Sequence, residues 1–519
     1  MNRIDRTCRL EFIVTASLSP MSPISRRRLQ WLLCAVIAAL PCLLYWGGIS
    51  QRFGLRDDYS NLREAHEQPG WLIELCASQG RPIYGWLLDR SYAKLASVDS
   101  LVWVRAAATV IWGVSGAILF FVLVRRLRWR EAPAAAVAAL LLVLPGVQVE
   151  THWGVCWPHA LAALAGLSAF ALTESAVQAK RSWVRWALGV CGVLLLWAAL
   201  LTYQPNALLY VIGIAAGFAG HGDRTWAQRV RWAVGHVFAV AMTLIVAFAT
   251  IKILFACHLF WASERVVVEL HWFDKLGWFL AGPLRQALAL FVIADDTHRT
   301  EPWFGIAFGI SLIVLTLGLL ATWRRQGWRA AACWAGGLVA LAVLAYAVSL
   351  VATERWPTYR TLMALSGVLI VFLVTSVQAL AGAEQGWRQR SAGIGLMVLV
   401  VVGCTLARHN SRLYLAEAQA AELRRFEVAA LTCDPQKTER VCLWLPEPQE
   451  SPCAVSHLDE FGSLSGDCEW AAKEMLLQVM KARTPRRPLR SIGLQFSCRH
   501  GAPRPGSFDR LIDLHVPRG

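Results

Sequence analysis

The chain has 519 residues, of which 56% are hydrophobic and 17% charged, with a mean hydropathy of +0.44. Soluble domains carry about 25% charged residues, so this composition excludes an ordinary soluble enzyme and fits a membrane protein. Lys and Arg number 51 against 35 Asp and Glu, a net charge of +16. These bases fall in short clusters between apolar runs, the pattern of membrane loops, which excludes nucleic acid as a partner.

In chain order, residues 1–28 form a polar N-terminal segment ending in Arg26, Arg27 and Arg28, with Met21 as an alternative start. The apolar run Leu29–Ile49 is about 21 residues, too long for a signal-peptide core and right for an uncleaved span. Ten further runs are each close to the ~20 residues a bilayer needs. They are Leu101–Val124, Ala132–Val149, His159–Val177, Val184–Tyr203, Ala207–Gly220, Trp232–Ala256, Trp303–Trp323, Ala330–Val351, Thr361–Ala381 and Ala392–Ala407. Ala207–Gly220 is short enough to be tilted or partly re-entrant. Every second connection is basic, as in Arg125–Arg130, Lys180–Arg185 and Arg324–Arg329, whereas Glu150–Pro158 and Gln204–Asn206 carry no Lys or Arg. The positive-inside rule then puts the N-terminus in the cytoplasm and the tail outside. The expected fold is an all-α polytopic membrane protein of about 11 transmembrane helices over residues 29–408. A small extracytoplasmic α/β domain is expected at 409–519, with helices at Ala416–Leu431 and Glu469–Lys481 and strands at Val441–Leu445, Ser491–Phe496 and Leu511–Val516.

On this topology the outer segments are about Ser50–Ser100, Glu150–His159, the Gln204–Asn206 turn, Cys257–Pro302 and Thr353–Arg360. Within Cys257–Pro302, Leu276–Val292 is apolar and interrupted by Gly282-Pro283, so it is expected to lie along the surface or dip in. Most of the 14 cysteines lie in apolar runs and read as small buried residues. Cys433, Cys442, Cys453, Cys468 and Cys498 sit in the tail, where one or two disulfides are expected if it is extracytoplasmic. Arg105 and Glu174 lie near span ends and are expected to snorkel. Nothing in the tail has the look of chemistry; it reads as a structural or docking cap.

The candidate chemistry gathers in those outer segments. Asp57 and Asp58 follow the first span, and an adjacent carboxylate pair suits a general base tuned by its neighbour, with a weak preference for Asp58 as the base. The plain alternative is a solvated loop acid capping a helix over Tyr59–Ala65. Arg355 and Arg360 flank Thr353-Glu-Arg-Trp-Pro-Thr-Tyr359-Arg360 on the side where positive charge is disfavoured, and guanidinium groups pair with phosphates. They could equally pair with lipid phosphates or Glu354. Glu150, His152 and His159 could hold a divalent metal, although their spacing matches no metal motif; Trp153 and Trp157 between them suit an interface belt or a sugar platform. Tyr203, Gln204 and Asn206 flank a helix-breaking Pro205 and suit sugar hydroxyls. Asp295, Asp296 and His298 form a second-choice acid cluster. No P-loop, G-x-S-x-G or H-E-x-x-H is present, which removes ATP-driven transport and common hydrolases.

Asp57-Asp58-Tyr59 followed by Gly80-Arg81-Pro82, with Tyr203-Gln204 between later spans, resembles the GT-C superfamily of polytopic glycosyltransferases, and within it the bacterial O-antigen glucosyltransferase (Gtr-type) group. The resemblance covers residues 29–408 through short motifs. It implies transfer of a sugar from a polyprenyl-phosphate carrier to an envelope glycan or lipid acceptor, at the outer face of a bacterial inner membrane. Asp57 and Asp58 would then be catalytic, and Arg81, Arg355 and Arg360 would meet the carrier phosphate. No cofactor is firmly implied, and a divalent metal remains an open option. The competing readings are a flippase or transporter for lipid-linked sugars, and an O-antigen polymerase or ligase.

Overall fold

A computed structural model describes residues 23–220, 225–294, 302–382, 386–433, 439–444, 459–483, 494–499 and 508–513. Asp295, Asp296, His298, Cys453 and the side chain of Cys498 lie outside the described residues. The protein is a polytopic all-α membrane protein. Among the described residues nine helices are long and apolar enough to cross a bilayer, and the pair Glu131–Leu142 and Pro145–His152 makes a tenth. Gln204–Ala219 supplies a shorter apolar segment. The expected single helix Ala132–Val149 is therefore bent, by 52°. Pro145 has no N–H to continue the ladder, and it drives Leu144 out of the helical region to ψ 147°.

Met363–Ala381 runs through the centre of the bundle, and its neighbours are packed around it, so that 83% of its most apolar window is buried. The last span is peripheral. It continues as one helical run from Trp387 to Ala430, with a π-helical stretch over Ser411–Glu417. The boundary expected at 408/409 thus falls inside a continuous helix. Beyond it, β1 (Glu439–Trp444) lies between β2 (Leu494–Arg499) and β3 (Arg510–Asp513), parallel to both. The helix Glu469–Arg483 completes the described part of the tail.

The connections sort into two ends of the bundle. At one end the segments expected to share a side touch one another. Gln204 Nε2 donates to the Gly80 carbonyl at 2.8 Å, and the Ser263 amide to the Ser78 carbonyl at 3.1 Å. Val268 and Ala352 form an antiparallel bridge. The Leu276–Val292 stretch is two short helices, Trp272–Ala281 and Pro283–Leu288, and buried Lys275 fastens the first to the carbonyls of Ala352 and Glu354, both at 2.7 Å. The basic connections meet at the other end, where Arg130 donates to Gln389 and Arg26 pairs with Glu131.

Neither charged span residue snorkels. Arg105 is 1% exposed, and its guanidinium donates to the carbonyls of Phe53 (2.5 Å) and Gln51 (2.9 Å), pinning the start of the first long loop. Glu174 is fully buried and accepts from Trp232 (2.9 Å) and Gln178 (2.8 Å), with His236 at 3.3 Å. Each finds protein donors or acceptors within reach, which makes burial less costly than it would be for an isolated charge.

Candidate active site

The acid pair opens a helix, Asp57–Glu67, and the two side chains part at once. Asp58 is 0% exposed and accepts from four donors. These are the amides of Leu55 (2.9 Å), Gly154 (3.2 Å) and Val155 (2.9 Å) and the hydroxyl of Tyr92 (2.5 Å). Burial pushes its pKa up, and the Tyr92 and backbone donors pull it back. Asp58 thereby ties the first loop to the Gly154–Cys156 turn. The lack of a side chain at Gly154 lets this turn come close, since a Cβ there would stand 2.8 Å from both Asp58 Oδ1 and the Tyr92 hydroxyl and would push them aside.

Asp57 turns the other way, into a cavity of about 590 Å³, a volume in the usual range of small-molecule sites. Its pKa is raised to about 6, first by burial and then by the Asp58 charge, with Arg360 and Arg56 acting against the shift. Arg56, immediately before it, holds the strained φ of +35° and is fastened by Glu460 at 3.2 Å, while its amide donates to Ser465 Oγ at 2.9 Å.

Arg360 also lines the cavity. Its Nη2 is 3.0 Å from Asp459 and 3.9 Å from Glu460, and its Cζ sits 4.5 Å over the Trp153 ring. Burial alone would lower its pKa, but Asp459 and the other acidic groups around it hold it well above the usual guanidinium value. Arg81, Tyr203 and His159 form a column that also lines the cavity. Arg81 lies 4.9 Å from the Tyr203 centroid, Tyr203 stacks on His159 at 3.5 Å, and His159 stacks on Tyr84 at 5.2 Å. Neither ring nitrogen of His159 makes a hydrogen bond among the described residues, although Glu150 Oε1 is 3.7 Å from Nδ1. Glu150 sits behind the column, held by Asn206 Nδ2 at 2.9 Å to each oxygen and by Trp112 at 3.1 Å.

Other candidates lie elsewhere. His152 is buried against Phe53, its Nδ1 2.7 Å from the Gln148 carbonyl, and it does not line the cavity. Glu150, His152 and His159 therefore do not converge, and no group of three or more His, Cys, Asp or Glu among the described residues is placed to hold a metal ion. Arg355 points away to Glu269 at 3.2 Å and is 42% exposed. Tyr359 is buried beside the cavity, where its amide donates to Asp459 and its hydroxyl accepts from the Ala294 amide at 2.7 Å. Gln204 faces a second cavity.

That second cavity, of about 380 Å³, is an apolar groove walled by Leu200, Leu244, Phe248, Ile251, Val266 and Val348. It shares Gln79, Arg81, Arg265, Glu354, Trp356 and Thr361 with the first cavity. The apolar groove thus meets the polar chamber at Arg81 and Arg265. Sequence reasoning missed Arg265; the signal was available, since it is an arginine in an outer segment where positive-inside pressure opposes it. It also missed the tail: Asp459, Glu460, Trp470, Lys473 and Glu474 reach the cavity or its arginines. The expected plain cap is a wall of the candidate site.

These features define a polytopic membrane protein in which a polar chamber adjoins an apolar groove. No family model matches the chain, and no curated relative matches it either. Among solved structures it is similar to the archaeal oligosaccharyltransferase AglB from Archaeoglobus fulgidus in complex with an inhibitory peptide and a dolichol-phosphate. That match has 13% identity, a TM-score of 0.40, and covers 81% of this chain and 62% of the other. The Archaeoglobus fulgidus oligosaccharyltransferase in complex with Zn and sulfate matches at 12% identity and TM-score 0.38, over 79% of this chain and 60% of that one. Its apo form matches at 12% identity and TM-score 0.41, over 88% and 64%. The chain spans about six-tenths of the length of these structures.

Proposed function

We propose that the protein is a membrane glycosyltransferase that moves a sugar from a polyprenyl-phosphate carrier to a hydroxyl of an envelope glycan or lipid, on the outer face of a bacterial inner membrane. The observation that carries this reading is the junction of the two cavities. An apolar groove suits a polyprenyl chain, and Arg81 and Arg265 stand where its phosphate would enter the polar chamber. Asp57, the member of the acid pair that faces that chamber, is the general base. It takes the proton of the acceptor hydroxyl as that oxygen attacks the anomeric carbon. The bond from that carbon to the phosphate oxygen breaks, and the carrier phosphate leaves with the electron pair, stabilised by the arginines. Attack opposite the leaving group inverts the anomeric centre. A pKa of about 6 leaves Asp57 ionised at neutral pH while keeping it basic enough to accept a proton. Asp58 and Glu150 hold the chamber's walls, and the preference for Asp58 as base gives way to Asp57 because the Asp58 oxygens are already occupied.

The test is a donor comparison with protein reconstituted in nanodiscs. A radiolabelled polyprenyl-phosphate hexose and the matching nucleotide hexose are each offered with lipopolysaccharide or glycolipid acceptors. Transfer from the lipid-linked donor alone supports the reading. Transfer from the nucleotide sugar, or translocation of the lipid-linked sugar without transfer, contradicts it.

A further inference from the structure

At the end of the bundle opposite the chamber, the helices Pro23–Leu44 and Leu101–Arg125 enclose a second kind of site. They cross closely in mid-span: a Cβ on Gly113 would fall 2.1 Å from the Ala38 carbonyl oxygen, and one on Gly116 would be 3.0 Å from Ile37. Two helices in contact at an angled crossing diverge away from it. About three turns from Gly113 they leave a bowl of about 410 Å³ lined by Arg27, Trp31, Phe121, Arg125 and Arg126. A narrow apolar crevice edged by Cys34, Phe120 and Val124 adjoins it and shares Trp31, Phe121 and Arg125. Trp31 and Phe121 are 66% and 42% exposed.

Arg26, Arg130, Arg185 and Arg229 at the same end each bond within the protein, to Glu131, Gln389, the Ala179 carbonyl and the Phe218 carbonyl. No acidic side chain pairs with Arg27, Arg125 or Arg126 among the described residues. Three guanidinium groups therefore line one hollow beside the apolar surfaces of Trp31 and Phe121.

We propose that this bowl binds an anionic phospholipid, with the headgroup phosphate on Arg27, Arg125 and Arg126 and one acyl chain laid along Trp31 and Phe121. Guanidinium groups match phosphate oxygens in charge and geometry, and basic pockets between spans are suited to anionic headgroups. The apolar wall distinguishes a lipid from free phosphate, which has nothing to place against it. The site does not depend on the glycosyltransferase reading.

The test uses full-length protein in phosphatidylcholine nanodiscs doped with phosphatidylglycerol, and native mass spectrometry counts the phosphatidylglycerol molecules retained. Replacing Arg27, Arg125 and Arg126 together by Gln is expected to weaken retention at least about tenfold. Arg324→Gln with Arg329→Gln, at the same end but outside the bowl, is expected to leave it unchanged, and inorganic phosphate is expected not to displace the lipid. Equal losses in both arginine variants would show a general charge attraction and overturn the site, as would full retention in the triple variant or displacement by phosphate. If the triple variant fails to insert, Trp31→Ser with Phe121→Ser keeps every charge and should still release the lipid; undiminished retention there overturns the proposal.

Discussion

At the scale of single residues, Asp58 accepts from four donors while its neighbour Asp57 faces open chamber, so the two should answer differently to the same change. Asp58→Asn turns an acceptor into a donor against buried N–H groups, and we expect it to cost about 2–4 kcal/mol of stability, read as a lower melting temperature in detergent. Asp57→Asn should fold normally and melt higher than wild type. The sign follows from its pKa, raised from 3.8 to about 6 in the folded state. Between those values the native state binds the proton more tightly than the unfolded chain, so stability contributed at acid pH is lost as pH rises through about 6. The melting advantage of Asp57→Asn should therefore be larger at pH 7.5 than at pH 5 (roughly the two sides of that window). For the same reason, transfer by the wild type should rise with pH through about 6 and level off above it, measured as initial rate against pH. The pair itself was readable in the sequence as an acidic dipeptide beyond the first span. The division of labour was not, because Tyr92, Gly154 and Val155 lie 34, 96 and 97 residues away from Asp58.

Between elements, the chamber is assembled from loops and the tail. Arg63 makes a bidentate pair with Glu474 at 2.7 and 2.9 Å, and Gln478 Nε2 donates to the Tyr59 carbonyl at 3.0 Å, so the helix Glu469–Arg483 is clamped onto the helix bearing the acid pair. Asp459 closes the same joint through Arg360 and the Tyr359 amide. Asp459→Asn should leave the largely buried Arg360 under-compensated, opening the tail to limited proteolysis and lowering transfer more than any tail substitution remote from the chamber. Arg355 and Arg265, which lie on two different outer segments, should part as well. Arg355→Gln, at an exposed pair with Glu269, is expected to change transfer less than about twofold. Arg265→Gln should raise the KM for the lipid-linked donor, because Arg265 stands where groove and chamber meet. Charge and side alone suggested Arg355; only the packing of the Glu264–Val266 turn against Gln79 puts Arg265 at the junction. The short tail helix and strands were visible as periodic patterns. Their docking was not, since it rests on single ion pairs across some 400 positions.

For the whole molecule, the spans were readable because each is a local apolar run, and the basic alternation sorted their connections into the two sets that the structure brings together at opposite ends. Reporter fusions after Ser97 and after Arg185 should report opposite sides of the membrane, the first extracytoplasmic; a cytoplasmic signal after Ser97 would remove the chamber from the outer face. Two features escaped the apolar pattern because hydropathy does not record helix direction. These are the 52° bend before Pro145, and the continuation of the last span to Ala430, which carries the chain into the tail as one helical run. The most direct measurement of the central claim is the rate of sugar transfer from a polyprenyl-phosphate hexose by reconstituted Asp57→Asn protein whose fold and donor binding match wild type. A loss on the order of a hundredfold or more is predicted for removal of the general base. Wild-type rates from Asp57→Asn would contradict the account.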